Sequence, residues 1–188
     1  MLYWKIGGIY TLTGITNQAG CNFFMLVGTF MNWLFGSILT FQLEREVFLR
    51  EQANKMYYPS AYFLSKNLVE MPATLIAPMA QMLVMYWAID YDHFFTMYII
   101  LVMTANTSMG IGLLISAMTP NVNSATAIAP LFTMPMILFG GFIANTDSIP
   151  AWLGWVQWIS PIRYGNEAVA HTQFDGVTNA NAILYMSL

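Results

Sequence analysis

Charged side chains are the scarcest component of this sequence. Asp, Glu, Lys and Arg make up 8% of its 188 residues, whereas soluble domains carry roughly 25%. No charged residue occurs between Lys5 and Glu44, nor between Asp92 and Asp147. Such stretches cannot form a surface that faces water, which excludes an ordinary soluble domain. The chain is predicted to be an integral, multi-pass protein of the lipid bilayer, in the plasma membrane or an endomembrane.

Cysteine, histidine and basic residues are also few, and each shortage excludes a class of function. One cysteine and two histidines allow neither an internal disulfide nor a metal site of the usual spacing. A net charge of −3 without a basic stripe excludes nucleic acid as the expected partner. The motifs G-x-x-x-x-G-K-[ST], G-x-S-x-G and H-E-x-x-H are absent. No nucleotide-binding, metal or catalytic residue is therefore predicted in this chain.

The sequence does contain a series of long apolar stretches. A helix needs about 20 apolar residues to cross the ~30 Å hydrocarbon core of a membrane. The turn-forming run at 119–124 divides the uncharged stretch after Asp92 into two such segments. We therefore predict one all-α domain over 1–188, a polytopic transmembrane helical bundle with about four spans. The predicted spans lie at about 20–42, 62–89, 94–118 and 123–144.

The uncharged segment that follows Asp147 is too short to cross a membrane. Pro150 suits a first helical turn, and three tryptophans recur at every third position from Trp152 to Trp158. Indole rings favour the membrane–water interface, where the ring is half buried and its N–H is hydrated. An external re-entrant or interfacial helix is therefore predicted at about 150–160.

The positions of the basic residues predict the orientation. Four of the six lie between the apolar stretches of the first two predicted spans, 23–41 and 71–89: Arg45, Arg50, Lys55 and Lys66. The positive-inside rule then puts residues 42–66 in the cytoplasm and 90–93 outside. Four spans leave both ends of the chain outside. Because the N-terminus lacks the features of a signal peptide, the chain is expected to be part of a longer one.

The densest run of charge, residues 44–51, is called here the charged segment. Glu46 and Arg50 are four residues apart, in the order that stabilises a helix, and apolar residues at 47–49 supply a second face. Two interpretations remain open from this pattern. The segment is either an amphipathic elbow on the membrane surface or a docking surface for a cytosolic partner.

Two further patterns concern the inside of the bundle. Lys66 and Glu70 are four residues apart at the mouth of the second span, so they predict a structural ion pair, with a proton relay as the alternative. Ser108, Gly112 and Ser116 form a stripe of small residues, which is typical of closely packed helices.

Six segments of the sequence, in this order and spacing, resemble the transmembrane part of G-subfamily (white/pleiotropic drug resistance type) ABC transporters. The similarity covers about residues 6–176, and its motifs are specific as an ordered set. The segments are Thr13-Gly14-Ile15-Thr16-Asn17-Gln18-Ala19-Gly20, Leu43-Glu44-Arg45-Glu46-Val47-Phe48-Leu49-Arg50-Glu51, Tyr62-Phe63-Leu64-Ser65-Lys66, Glu70-Met71-Pro72, Phe139-Gly140-Gly141-Phe142, and Ile149-Pro150-Ala151-Trp152 running to Ser160-Pro161-Ile162-Arg163-Tyr164-Gly165-Asn166-Glu167-Ala168.

The resemblance implies a function. Half-transporters of that family have an N-terminal cytosolic ATPase domain and six transmembrane helices, and two halves dimerise. This chain then corresponds to helices two to five and the re-entrant segment, a fragment without the ATPase domain that binds ATP and Mg²⁺. It would be the permease part of an ATP-driven exporter of lipid-like or amphipathic substrates. Its partners would be a cytosolic ATP-binding domain and a second half-transporter, in a homo- or heterodimer. The alternative is a non-transporting membrane scaffold, or a truncated remnant that only associates with other membrane subunits.

The resemblance also implies roles for individual residues. A coupling elbow at 44–57 would dock on the ATPase domain through Glu44, Arg45, Phe48, Arg50 and Glu51. A substrate cavity on the dimer axis would be lined by Phe24, Gly28, Met31, Leu131, Met134 and Ile137. Phe142 and Ile143 would form a hydrophobic gate above that cavity. For each cavity residue, contact with lipid or helix packing is the alternative.

Overall fold

Five α-helices contain most of the residues that the structure, a computed structural model, describes: 12–89, 93–140 and 158–174. No β-strand occurs in these ranges. The all-α fold expected from the sequence is thereby confirmed. The helices are α1 (Leu12–Ala53), α2 (Pro59–Ile89), α3 (Phe94–Met118), α4 (Val122–Leu138) and α5 (Pro161–Phe174).

Three of the helices are long and apolar enough to cross a membrane. They comprise Asn17–Ala53, Pro59–Trp87 and Phe94–Met118. At 1.5 Å per residue even the shortest of them spans about 37 Å, more than the ~30 Å hydrocarbon core. Helix α4 is also apolar but has 17 residues, and the predicted fourth span, 123–144, extends beyond the described residues at its C-terminal end. The chain is an integral membrane protein.

Helix α1 continues without a break through the charged segment. Sequence analysis predicts an elbow after a span that ends near residue 42, but the helix runs on to Ala53 and only then turns. The physical reason is local, since neither glycine nor proline occurs between Gly36 and Pro59, and the segment is rich in Glu, Arg, Leu and Gln. The turn itself includes Lys55 in the left-handed region, with φ of 52°.

Helices α1 and α3 form the centre of the bundle. A Cβ added to Gly112 on α3 would lie 2.6 Å from the Leu34 carbonyl oxygen on α1, so the two backbones meet there. Ser108 and Ser116, one turn to either side, are fully buried. The stripe of small residues therefore packs helix against helix, as the sequence predicts.

The hydrophobic core is built around α1. Phe23, Phe30, Leu34 and Ile38 pack against residues from three other helices, namely Ile115 of α3, Ala125 and Ala129 of α4, and Ile162 of α5. Helix α2 is peripheral by comparison, because it packs on α3 and only sparsely on α1. A cleft therefore separates α1 from α2 over part of their length.

Candidate functional site: the α1–α2 joint and the exposed faces of α1 and α4

The charged segment uses one face to join α1 to α2. Glu44 Oε2 accepts hydrogen bonds from the Tyr62 hydroxyl and from Lys66 Nζ, each at 2.7 Å. Two turns further along, Glu51 Oε2 accepts a hydrogen bond from the Tyr57 hydroxyl at 2.6 Å. Glu44 and Glu51 are seven residues apart and so share a helical face. That face is occupied by contacts within this chain.

An aromatic cluster fills the space between these polar contacts. It consists of Phe41, Phe48, Tyr57 and Tyr62. The ring centroids of Phe48 and Tyr62 lie 4.6 Å apart, and the rings of Tyr57 and Tyr62 are stacked with centroids 6.2 Å apart. Phe48, which sequence analysis assigns to a docking surface, therefore packs inside this joint, because it lies seven residues after Phe41 on the same face.

Tyr57 lies in the turn between the two spans. Its hydrogen bond to the Glu51 carboxylate raises the pKa of Tyr57 to about 12. The cause is that the protonated phenol donates this bond, while the nearby negative charge disfavours the phenolate. The contact is therefore fully formed at neutral pH.

The other face of the charged segment is open. Arg50 and Glu46 form an ion pair at 3.9 Å, with 80% and 83% of their side chains exposed. Arg45 Nη1 donates to the carbonyl of Pro120, in the turn between α3 and α4, at 3.4 Å. Of the five residues that sequence analysis assigns to docking, Arg50 is thus the most available to a partner. Arg45 instead ties the segment to the α3–α4 turn.

Lys66 is the buried centre of an ion cluster. Its Nζ lies 2.7 Å from Glu44 Oε2 and 3.1 Å from Glu70 Oε1, and 7% of its side chain is exposed. The structure thus contains the Lys66–Glu70 ion pair expected from the sequence and adds Glu44 to it. Two carboxylates share one ammonium, which leaves the cluster with a net negative charge.

The three cavity candidates on α1 lie on an outer face of the bundle. Phe24 is 64% exposed, Gly28 is exposed, and Met31 is half-buried. Their spacing of four and three residues makes them one stripe. A Cβ added at Gly28 meets nothing within 4 Å. Among the residues that the structure describes, the stripe is thus largely exposed on the outside of the bundle.

The candidates on α4 divide into two groups. Leu131 and Met134 are 74% and 63% exposed, on the side of the helix away from the buried Ala125 and Ala129. Ile137, in contrast, packs against the core cluster around α1. Ile137 is therefore a helix-packing residue in this chain, because the last turn of α4 approaches α1 and α5 closely.

Some predicted features lie outside the described residues. The gate residues Phe142 and Ile143 are among them, as is most of the re-entrant helix expected at about 150–160. Trp158, near the end of that segment, is described, and the Arg163 guanidinium lies over its ring at 5.1 Å.

Comparison with known proteins identifies the family. The model of the ABC-2 type transporter family matches residues 1–174 of the 188. The chain belongs to the ABC-2 type transporter family. The G-subfamily resemblance stated above is confirmed by the relatives that follow.

Several G-subfamily proteins are similar to this ABC-2 type chain. "Protein white" of Ceratitis capitata is 34% identical over 177 residues, which are 92% of this chain and 26% of that protein. "Protein white" of Drosophila melanogaster is 33% identical over the same shares. The "Broad substrate specificity ATP-binding cassette transporter ABCG2" of Rattus norvegicus is 30% identical, over 87% of this chain and 26% of that protein. The chain thus spans about a quarter of the length of these relatives.

Two glutamines of this ABC-2 type chain are site residues that sequence reasoning missed. Gln42 Nε2 donates to the carbonyls of Ser116 at 2.9 Å and Thr119 at 3.2 Å, at the C-terminal end of α3. Gln81 Oε1 accepts a hydrogen bond from the Thr29 hydroxyl at 3.0 Å, which links α2 to α1. The sequence did contain a signal for both residues, because each is an amide side chain within an apolar helix. Such an amide needs a hydrogen-bond partner when it is buried.

Proposed function

We propose that this chain is the permease part of an ATP-driven half-transporter that exports lipid-like or amphipathic molecules. The observation that carries the proposal is the rigid continuity between α1 and the charged segment. Glu44 of the segment contacts α2, and Arg45 contacts the turn between α3 and α4. Gln42, just before the segment, contacts the C-terminal end of α3. A force applied to residues 44–51 therefore acts on three helices together.

In this proposal the force comes from a cytosolic ATPase domain. The exposed Glu46–Arg50 face offers a charged docking surface, and guanidinium groups suit carboxylates on a partner. The positive-inside rule supports a cytosolic location for residues 42–66. Among the residues that the structure describes, no group of three or more His, Cys, Asp or Glu could hold a metal ion. ATP and Mg²⁺ would be bound by a nucleotide-binding domain of the whole protein.

The exposed stripes of α1 and α4 supply the proposed substrate path. Phe24, Gly28 and Met31 on α1, with Leu131 and Met134 on α4, would face the same residues of a second half-transporter, in a homo- or heterodimer. The apolar lining and the exposed large side chains support an amphipathic substrate, because such a cavity binds mainly by burying apolar surface. Phe142 and Ile143 would close this path as a hydrophobic gate.

The proposal is tested on Arg50 in the full-length protein, reconstituted as a dimer. Arg50→Glu reverses one exposed charge of the docking surface and should reduce substrate-stimulated ATPase activity and export several-fold. Arg50→Lys keeps the positive charge at the same position and serves as the matched control. Phe48→Ala is unsuitable for this purpose, because Phe48 packs inside the α1–α2 joint.

The measurement is the ATPase rate with and without an amphipathic substrate, together with substrate uptake into inverted vesicles. If Arg50→Glu retains both activities at the level of Arg50→Lys, the charged segment is only a structural extension of α1. If the unmodified full-length protein shows neither ATPase stimulation nor export, the scaffold interpretation replaces the transporter.

A further inference from the structure

Helices α1 and α2 touch at two levels and separate between them. At one level Thr29 donates a hydrogen bond to Gln81, and at the other Lys66 is paired with Glu44. On each helix these two contacts lie fifteen residues apart, which is about 22 Å at 1.5 Å per residue. The helices are therefore fixed at both ends of an elongated opening, called here the α1–α2 cleft.

The α1–α2 cleft has the size of a small-molecule site. Its volume is about 570 Å³, within the range of roughly 300–1,000 Å³ that is usual for ligand pockets. Small side chains leave space between the two helices, at Gly36 on the α1 wall and at Ala73 and Ala77 on the α2 wall. A Cβ added at Gly36 meets nothing within 4 Å, so the cleft is open at that point. The dimensions of the cleft suit a ligand with one elongated hydrocarbon chain.

One end of the α1–α2 cleft is acidic. Glu70 lines the cleft and also a smaller adjoining cavity of about 310 Å³, which Glu44, Tyr62 and Lys66 border. The Lys66 ammonium is already paired with both carboxylates, so this end carries a net negative charge. An anionic head group would be repelled there. The Tyr62 ring borders the adjoining cavity, whereas Trp33 lines the cleft one helical turn after Thr29, towards the Gln81 end.

We propose that the α1–α2 cleft binds a cationic amphiphile. Its ammonium head lies beside Glu70, and its apolar chain runs along Gly36, Ala73 and Ala77 towards Gln81. The ligand class follows from the charge at one end and the uncharged walls beyond it, where Gly36, Ala73 and Ala77 alternate with Thr29, Asn32, Trp33, Ser37, Thr40 and Gln81. The proposal concerns binding alone and does not depend on whether the chain transports.

The α1–α2 cleft is distinct from the proposed cavity on the dimer axis. Thr29, Trp33 and Gly36 each stand five residues after a member of the outer stripe formed by Phe24, Gly28 and Met31. Five residues correspond to a rotation of about 140° around an α-helix. The two surfaces therefore lie on different sides of α1, and a substitution in one leaves the other intact.

The test uses photoreactive probes on the purified full-length protein in maltoside micelles. Three probes share a dodecyl chain with a diazirine and differ in head group, which is trimethylammonium, maltoside or sulfate. The ammonium probe should label peptides that contain Gly36 and Ala77, and labelling should be competed by unlabelled dodecyltrimethylammonium but not by maltoside. Equal labelling of these peptides by all three probes would overturn the proposed ligand class.

Variants then test the location. Gly36→Leu fills the α1–α2 cleft and should reduce labelling about tenfold, as expected when a ligand loses most of its chain contacts. Gly110→Leu is the matched control, because a Cβ at Gly110 on α3 also meets nothing within 4 Å. Ala77→Leu fills the cleft from the opposite wall, should Gly36→Leu fail to fold. Unchanged labelling in a folded cleft-filling variant would refute the site.

Glu70→Gln tests the head-group contact. The side chain keeps its size but loses its negative charge, so labelling by the ammonium probe should fall to the level of the maltoside probe. Labelling by the maltoside probe should not change, which separates loss of recognition from loss of structure. If the ammonium probe labels Glu70→Gln as strongly as the original chain, Glu70 does not hold the head group and the proposal fails.

Discussion

Replacing Gly112 with alanine should destabilise the bundle, because the added methyl group has no room. The new Cβ would lie 2.6 Å from the Leu34 carbonyl oxygen and 3.1 Å from Ser37 Cβ. An ordinary contact between carbon and oxygen is about 3.3 Å or longer. Since the nearest atom belongs to the backbone, α1 and α3 must separate by about 0.7 Å at their closest point.

The size of the effect follows from what that separation disturbs. Overpacking of this kind costs about 1–3 kcal/mol. Two hydrogen bonds across the same contact would lengthen, from the Ser37 hydroxyl to the Met109 carbonyl at 3.1 Å and from the Ser116 hydroxyl to the Ile38 carbonyl at 3.3 Å. Such bonds between membrane helices contribute about 0.6 kcal/mol each. A loss of about 2 kcal/mol lowers the melting temperature of a chain of this size by about 4–8 °C.

Cys21 provides the assay. It is the single cysteine of the chain and is buried in the core, so a thiol-reactive fluorophore labels it only as the bundle opens on heating. Gly110→Ala is the control, because a Cβ there meets nothing within 4 Å, and alanine favours a helix over glycine by up to about 1 kcal/mol. The reasoning is refuted if Gly112→Ala melts at the same temperature as Gly110→Ala, or above it.

Two further predictions concern the α1–α2 joint. Glu44→Ala removes one of the two partners of the buried Lys66 and should destabilise the bundle by about 1–3 kcal/mol. The control, Glu46→Ala, removes one member of an exposed ion pair and should cost less than about 0.5 kcal/mol. Equal melting temperatures of the two variants would contradict the ion cluster. Tyr57 should titrate near a pKa of about 12 in the difference absorbance between the chain and its Tyr57→Phe variant, and Glu51→Gln should return it towards the ordinary value of about 10. Because folding raises the pKa of Tyr57, its hydrogen bond to Glu51 stabilises the turn at neutral pH, and this stabilisation is lost as the pH rises from about 10 towards 12. An unshifted titration of Tyr57 would show that the hydrogen bond to Glu51 is absent.

The order of the helices could be predicted because a helix that crosses a membrane requires a long apolar stretch, which is easily recognised in the sequence. A helix in hydrocarbon must satisfy its own backbone and present apolar side chains over about 20 residues. Long stretches free of charge therefore mark α1, α2 and α3, and the Thr119–Ser124 run marks the turn before α4. The tight contact at Gly112 was also visible, because only small residues recur at that spacing.

The details of the α1–α2 joint could not be predicted in the same way. The Glu44–Lys66 pair joins residues twenty-two positions apart, and no local pattern shows which of several carboxylates a lysine will reach. Phe48 looked available to a partner because its neighbours are charged, whereas packing with Phe41 and Tyr62 turns it inward. From the sequence, Ile137 was assigned to the same substrate cavity as Leu131 and Met134. In the structure it packs against the core instead, because α4 approaches α5 closely there. Tertiary packing decides these cases.

The unbroken length of α1 makes it a two-armed lever. Its 42 residues span about 63 Å, and the contact between Leu34 and Gly112 lies near the middle, where it can serve as a fulcrum. Glu51 stands about 25 Å from this point on one arm and Phe24 about 15 Å on the other. A rotation of about 10° would therefore displace Glu51 by about 4 Å and Phe24 by nearly 3 Å in the opposite direction. In the proposed transporter, pressure at the charged end would be converted, with no change in helix structure, into sideways motion of the outer stripe at the far end.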